Sequence, residues 1–341
     1  MNSQFETDQS SPSDQSDQFD QSNQSDQSDQ SDSQHYDVVI VGGGPAGLSA
    51  ALILTRARRR VLVVDARAPR NADADHMHGF LSRDGLPPLE LLELGRAEVL
   101  SYGGVVVTDF AEKVERTGTG FTVTLASGCV PTARQLLVTT GLTDVLPDVP
   151  GLSGLWARDV HVCPYCHGWE VRDGALATLA TGPMSTHHTL LIRQWTDDLV
   201  YFLNGHALDD ADRAKLTARG VGIEERPVTR LVTRDGRLSG VELADGTVVA
   251  REGLFVVPRF RANSTLLEAL GCESDPETGW PVLGPAGRTS VPGVWAAGNV
   301  ADPSAGAIAA AGAASMTAGH INAALVEADV RAAMAAAGVL D

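Results

Sequence analysis

Cys163 and Cys166 stand three positions apart in the run Cys163-Pro164-Tyr165-Cys166-His167-Gly168-Trp169-Glu170. Two thiols at that spacing can close a small disulfide ring, and a neighbouring two-electron carrier can drain or refill it. His167 follows the second cysteine directly. With an unperturbed pKa of about 6.5, it can take a thiol proton and return it near neutrality. His161, two residues before Cys163, is a weaker candidate for the same work, because a lone histidine is often structural. Half of a zinc site is the competing reading of the cysteines. A closed tetrahedral site needs four ligands, yet the sequence has no second Cys-x-x-Cys, and Cys129 and Cys272 stand alone. His76 and His78 alternate as two metal ligands on a strand would, but no third ligand follows, so the stretch reads as a loop and no metal is expected.

Elements must hold such a pair against its electron carrier. The run Tyr36-Asp37-Val38-Val39-Ile40-Val41 suits a buried parallel strand. Gly42-Gly43-Gly44-Pro45-Ala46-Gly47 and a helical stretch from Leu48 to about Arg58 follow, and then a second strand, Val61-Leu62-Val63-Val64, ends at Asp65. Strand, glycine turn, helix, strand and terminal acid make a dinucleotide fingerprint some 120 residues before the cysteines. Gly42 makes the tight turn, Gly44 lets the backbone approach a pyrophosphate, and Gly47 lets helix and strand pack closely. The helix N-terminus offers free N–H groups to phosphates, and Asp65 can accept hydrogen bonds from ribose hydroxyls. Gln135 to Gly141 reads as a further strand feeding a turn, and Leu146 to Gly151 as a rigid exit from the first domain. An Ala-rich stretch from about Ala305 to Ala324 predicts a buried helix, whose N-terminus could face the cofactor.

Composition limits the alternatives. The chain has 341 residues, 43% of them hydrophobic, enough for two domains with a sizeable core. No apolar run approaches the roughly 20 residues that cross a bilayer, and no basic segment leads into an apolar one at the N-terminus. Four cysteines, two of them isolated, suit a reducing compartment, so a cytoplasmic protein is expected. Residues 1–34 are a Ser/Asp/Gln-rich tail with eight acidic residues and neither Lys nor Arg, expected to be disordered. The tail holds eight of the net 17 negative charges, and the remainder is acidic too, which argues against nucleic-acid binding.

With these motifs in this order, residues 36–330 resemble the low-molecular-weight thioredoxin reductase family. The resemblance implies an α/β protein with a two-domain FAD/NAD(P)-binding Rossmann-like fold. It divides the chain into the tail (1–34), an FAD-binding domain in two parts (35–152 and 254–330), a Cys-x-x-Cys domain between them (153–253) and a C-terminal extension (331–341). It implies FAD held by Gly42, Gly44, Pro45, Ala46, Gly47, Asp65, Gly141, Gly298 and Asn299, where Asn299 replaces the family's usual Asp. It also implies a homodimer. The expected second nucleotide turn departs from the family pattern. Ala180-Thr181-Gly182-Pro183-Met184-Ser185 keeps one glycine, and Asn204-Gly205 replaces the arginine fork that would chelate a 2′-phosphate, leaving NADPH binding in doubt. An intact flavin domain, CPYCHGWE and a degraded nicotinamide site together look like the dithiol oxidases of the gliotoxin and holomycin pathways. The implied chemistry is oxidation of a small dithiol through Cys163, Cys166 and His167, with oxygen as acceptor. A thioredoxin reductase acting on a protein disulfide, and a flavoprotein redox sensor, are the alternatives.

Overall fold

In the computed structural model, which describes residues 34–339, the run Val38 to Val41 lies inside a seven-stranded sheet. Its strands are β1 (His35–Val41), β2 (Val61–Asp65), β3 (Val105–Thr108), β4 (Ala111–Arg116), β5 (Phe121–Leu125), β6 (Thr132–Val138) and, from far down the chain, β17 (Val294–Ala296). The order is β3-β2-β1-β6-β5-β4, with β17 parallel to β6. Alternation along β1 divides its side chains between two cores: Val38 and Ile40 enter one, Val39 and Val41 the other. Helices α1 (Pro45–Arg56), α2 (Pro88–Ser101) and α7 (Ala307–Ala336) supply the first core. Small side chains at Ala50, Ala51, Ala314 and Ala318, all fully buried, let α1 and α7 approach closely.

A second, wholly parallel sheet has the order β11-β10-β9-β15-β8. Its strands are β8 (Val160–His161), β9 (Leu176–Leu179), β10 (Leu199–Phe202), β11 (Gly222–Glu224) and β15 (Gly253–Val256). An antiparallel sheet of β12 (Val228–Arg234), β13 (Arg237–Leu243) and β14 (Val248–Val249) adjoins it through a shared core. Between the two larger sheets runs a ladder of β7 (Leu142–Val145) and β16 (Arg259–Ala262). The short helices are α3 (Pro164–His167), α4 (Ser185–Ile192), α5 (Asp210–Ala218) and α6 (Thr265–Ala269).

Three sequence expectations change. The middle segment was expected to end at residue 253, but β15 sits between β9 and β8, so residues 253–256 belong to the second sheet. A fully apolar strand reads the same in either sheet, which is why its destination was not visible. The Ala-rich helix runs to Ala336, beyond the expected Ala324 and into the expected C-terminal extension, and only one stripe of it, from Ala310 to Leu325, is buried. The first helix starts at Pro45, earlier than expected, with proline in its first turn. The expected tail, apart from Gln34, lies outside the described residues. No helix among the described residues is long and apolar enough to cross a membrane.

Candidate active site

Each glycine of the first turn meets a different constraint. Gly42 has φ +111°, and a Cβ there would lie 2.4 Å from the Thr139 carbonyl oxygen. A Cβ on Gly47 would lie 1.8 Å from the Gly42 carbonyl, so this contact sets how closely α1 packs on β1. Gly44 differs: a Cβ there would meet nothing within 4 Å. The space beside the Gly44 backbone is open at the N-terminus of α1, which no described side chain caps. Oriented amides, a dipole and open room fit a pyrophosphate.

Pro45 and Ala46 form the first turn of α1, and Gly298 reaches Ala46 from the other end of the sequence. A Cβ on Gly298 (φ +75°) would stand 2.8 Å from the Ala46 methyl carbon. Gly141 (φ +72°) has open space beside it, and its carbonyl accepts from the Asn263 amide at 3.1 Å. The buried Asp65 carboxylate already has partners, the Arg96 guanidinium and the Arg67 amide (3.0 Å), so a ribose would have to share it. Asn299 donates to the carbonyls of Asp302 (3.0 Å) and Ala305 (2.9 Å), shaping the loop that leads into α7. Arg70 holds both oxygens of Asp144 on β7 at 2.7 Å and lies 3.5 Å from Asn299 Oδ1, tying this rim to the ladder between the sheets.

Cys163 and Cys166 are joined in a disulfide with Cα atoms 5.3 Å apart. They follow β8 at the carboxyl end of the second parallel sheet, where α/β sheets usually bind ligands. Pro164 begins the turn of helix between them, and Gly168 ends it against Trp195, whose ring would be 2.8 Å from a Cβ at that position. Tyr165 meets Trp195 edge-on, with ring centroids 5.7 Å apart. Tyr165 and Trp169 are nonetheless exposed, and the Arg172 guanidinium lies 3.9 Å over one face of Trp169.

Beside the disulfide, His167 stacks on His161 at 4.3 Å between ring centroids. His161 is buried and neither of its ring nitrogens has a hydrogen-bond partner among the described residues; His167 Nδ1 is likewise unpartnered. Burial, aided by the neighbouring His167, lowers the His161 pKa to about 3. Burial also pushes His167 down, opposed by its contact with the Cys163 backbone and by the Glu170 carboxylate. His167 is therefore biased towards the neutral imidazole that accepts a proton.

The loop after β2 of the first sheet also reaches this segment. His78, on the loop after β2, places Nε2 3.4 Å from Glu170 and Nδ1 3.3 Å from Asp84. Asp84 also accepts from the Gly79 amide at 2.8 Å. In the sequence the His76–His78 stretch reads as a loop with nothing that marks a contact to Glu170, and no group of three or more His, Cys, Asp or Glu among the described residues is placed to hold a metal. Glu170 was in plain view at the end of the cysteine motif, whereas nothing in the helical pattern around Arg96 marked its pairing with Asp65.

Residues 36–318 match the family described as pyridine nucleotide-disulphide oxidoreductase. The chain belongs to that family. It is 30% identical over 275 residues to thioredoxin reductase tcpT of Claviceps purpurea, covering 77% of this chain and 86% of the relative. It is 31% identical over 286 residues to thioredoxin reductase sirT of Leptosphaeria maculans, covering 79% and 88%. Among solved structures, HlmI superposes with TM-score 0.85 at 51% identity, covering 89% of this chain and 96% of the other. An oxidoreductase from Agrobacterium tumefaciens follows with TM-score 0.81, 36% identity and coverage of 86% and 99%. The protein is thus a thioredoxin reductase-like flavin disulfide oxidoreductase, and the open space at Gly44 fits the family's FAD.

Members of the pyridine nucleotide-disulphide oxidoreductase family are expected to hold a second nucleotide on the turn after β9. Here that turn is closed on itself. The Ser185 hydroxyl, in the first turn of α4, accepts from the amides of Thr181 (2.9 Å) and Gly182 (3.2 Å). Those are amides that a pyrophosphate would need. The adjoining cleft, of about 360 Å³, is lined by Gly182, Tyr201, Asp209 and Asp212 among others. Asn204 at the end of β10 spends its side-chain oxygen on the Val228 amide (3.0 Å), and Lys215 is paired with Asp212 (2.7 Å).

Proposed function

We propose that the protein is an FAD-dependent oxidase of small dithiols, with oxygen as the final acceptor. The closed turn carries this reading: with Ser185 occupying the Thr181 and Gly182 amides and carboxylates lining the cleft, NADPH has neither its backbone cradle nor its cationic partner, so electrons enter from thiols. The exposed Tyr165 and Trp169 beside the disulfide suit an apolar ring better than an ion.

A substrate thiol gives its proton to neutral His167, and the thiolate attacks Cys163 Sγ, so that a mixed disulfide forms and the bond to Cys166 breaks, leaving the electron pair on the Cys166 thiolate. A second substrate thiolate then attacks the mixed disulfide, closes the product ring and releases Cys163. When bound, FAD supplies the route by which the electron pair of the reduced cysteines reaches oxygen, which leaves as peroxide. In this reading Gly42, Gly44, Pro45, Ala46, Gly47, Gly141 and Gly298 form the FAD cradle, Asp65 and Asn299 fix its rim, and residues 153–256 form the cysteine domain.

Anaerobic stopped-flow mixing tests the proposal. A dithiol should bleach the flavin within a turnover, whereas NADPH should not. Rapid bleaching by NADPH would instead make the protein a reductase, and bleaching by neither would make it a sensor.

A further inference from the structure

The ladder that leads the chain to the cysteines stops short of them. Strand β8 is two residues long and lies at the edge of its sheet, and its pairing with β15 ends at His161 opposite Phe255. Cys163 then stands in extended backbone before α3, and its side chain caps nothing. Between the ladder and Cys163, His188 Nε2 lies 2.8 Å from the Val162 carbonyl. A carbonyl only accepts, so this bond requires a proton on Nε2 of His188. Burial favours the neutral ring, which has one proton to place. His188 is itself held. Thr189, the next residue of α4 and fully buried, bonds Thr178 of β9 at 2.8 Å, and the Phe255 ring meets His188 in a T-shaped contact at 6.3 Å. Ser185, three residues before His188, closes the start of the same helix.

We infer that His188 is a positioning residue for the thiol exchange proposed above, on which this role rests: from α4 it fixes the backbone at Val162, and with it the line along which a substrate thiolate meets Cys163 Sγ. Exchange at a disulfide needs the attacking sulfur aligned with the bond that breaks, so a small swing of the backbone beside Cys163 costs rate. In the step served, the substrate sulfur bonds to Cys163 Sγ, the Cys163–Cys166 bond breaks and its electron pair stays on Cys166. His188 neither gives nor takes a proton. The helix whose start would face a second nucleotide thus begins on Ser185 and braces the disulfide. Packing alone is the reading to be distinguished from this one. A side chain of similar size would satisfy it with or without a donor.

The test uses the FAD-loaded full chain, anaerobic, mixed with the monothiol mercaptoethanol, and follows adduct formation on Cys163 by acid quench and mass spectrometry. His188→Gln sets an amide N–H near the place of Nε2, whereas His188→Met fills similar space without a donor. The Met variant should form adduct roughly ten- to hundred-fold more slowly, and the Gln variant should stay within about three-fold of wild type. Both should keep the wild-type FAD content and visible spectrum. Should the Met variant not fold, His188→Asn, whose amide falls short of Val162, takes its place and should be slow. Nitrogen NMR of the wild-type histidines should find the His188 proton on Nε2. Wild-type rates in the donor-less variant, or equal slowing in Gln and Met, would overturn the role, the second outcome in favour of packing. A His188 proton on Nδ1 would overturn it without any variant. If wild-type protein forms no adduct on Cys163 with monothiol or dithiol, the exchange reading fails first and the positioning role with it.

Discussion

His161→Phe should make the protein less sensitive to acid. In the folded protein burial lowers the His161 pKa to about 3, against about 6.5 in an unfolded chain. The unfolded state therefore binds this proton first. The native state's advantage is intact above about pH 6.5 and declines as pH falls towards 3, by about 1.4 kcal/mol per pH unit. From pH 6.5 to about pH 5 the loss is about 2 kcal/mol from this one ring. His167 and His188, both pushed down mainly by burial, act in the same direction, so the wild-type slope should exceed one proton. Phenylalanine can keep the stack on His167 and the contact with Phe255, and no described hydrogen bond is lost because His161 makes none. Urea unfolding at about pH 7, 6 and 5, in the same excess of FAD, measures the slope for both proteins. The variant should lose about 2 kcal/mol less than wild type over this range. Parallel stability curves for the two proteins would refute the reasoning.

Gly44→Val should fold and yet be purified without FAD, because its side chain enters only the open space beside α1; Gly47→Val, whose Cβ would meet the Gly42 carbonyl, should fail to fold. Each lost charge-assisted bond to a phosphate costs about 1.5–3 kcal/mol, or roughly ten-fold or more in affinity. FAD retention at wild-type affinity in Gly44→Val would move the pyrophosphate elsewhere. Cys166→Ser should accumulate a dithiol adduct on Cys163 by mass spectrometry, and an adduct confined to Cys166 in Cys163→Ser would reverse the two roles. Asn204→Arg alone should not admit NADPH, measured by flavin bleaching, since Ser185 would still fill the turn.

Much of this site is legible in the sequence because it rests on local constraints. Gly42 takes a positive φ, Gly44 faces open space and Gly47 packs against the Gly42 carbonyl, three constraints set within six residues, and the cysteine motif carries its own helix start in Pro164 and stop in Gly168. What the sequence hides is whatever depends on a distant partner. Asp65 reads as a ribose ligand until Arg96, 31 residues on, is seen to hold it. The loss of glycines in the second turn is visible, but the Ser185 hydroxyl accepting from the Thr181 and Gly182 amides is not, because a serine at a helix start has many partners available to it. His78 and Glu170 are 92 positions apart in the chain, and neither local pattern points to the other. Strand Gly253–Val256 shows the same limit, being equally apolar in whichever sheet receives it.

The pairing of β17 with β6, at Val294 with Leu136, and the fit of Gly298 against Ala46 set an order of events during synthesis. Strands β8 to β15 lie within one stretch of about a hundred residues and can associate while the ribosome is still at work. The glycine turn at residues 42–47 is translated much earlier but stays open on one side until residue 298 has emerged. Its first strands must wait, with the face that α7 will cover exposed to chaperones and to other nascent chains, for the last part of the polypeptide to arrive.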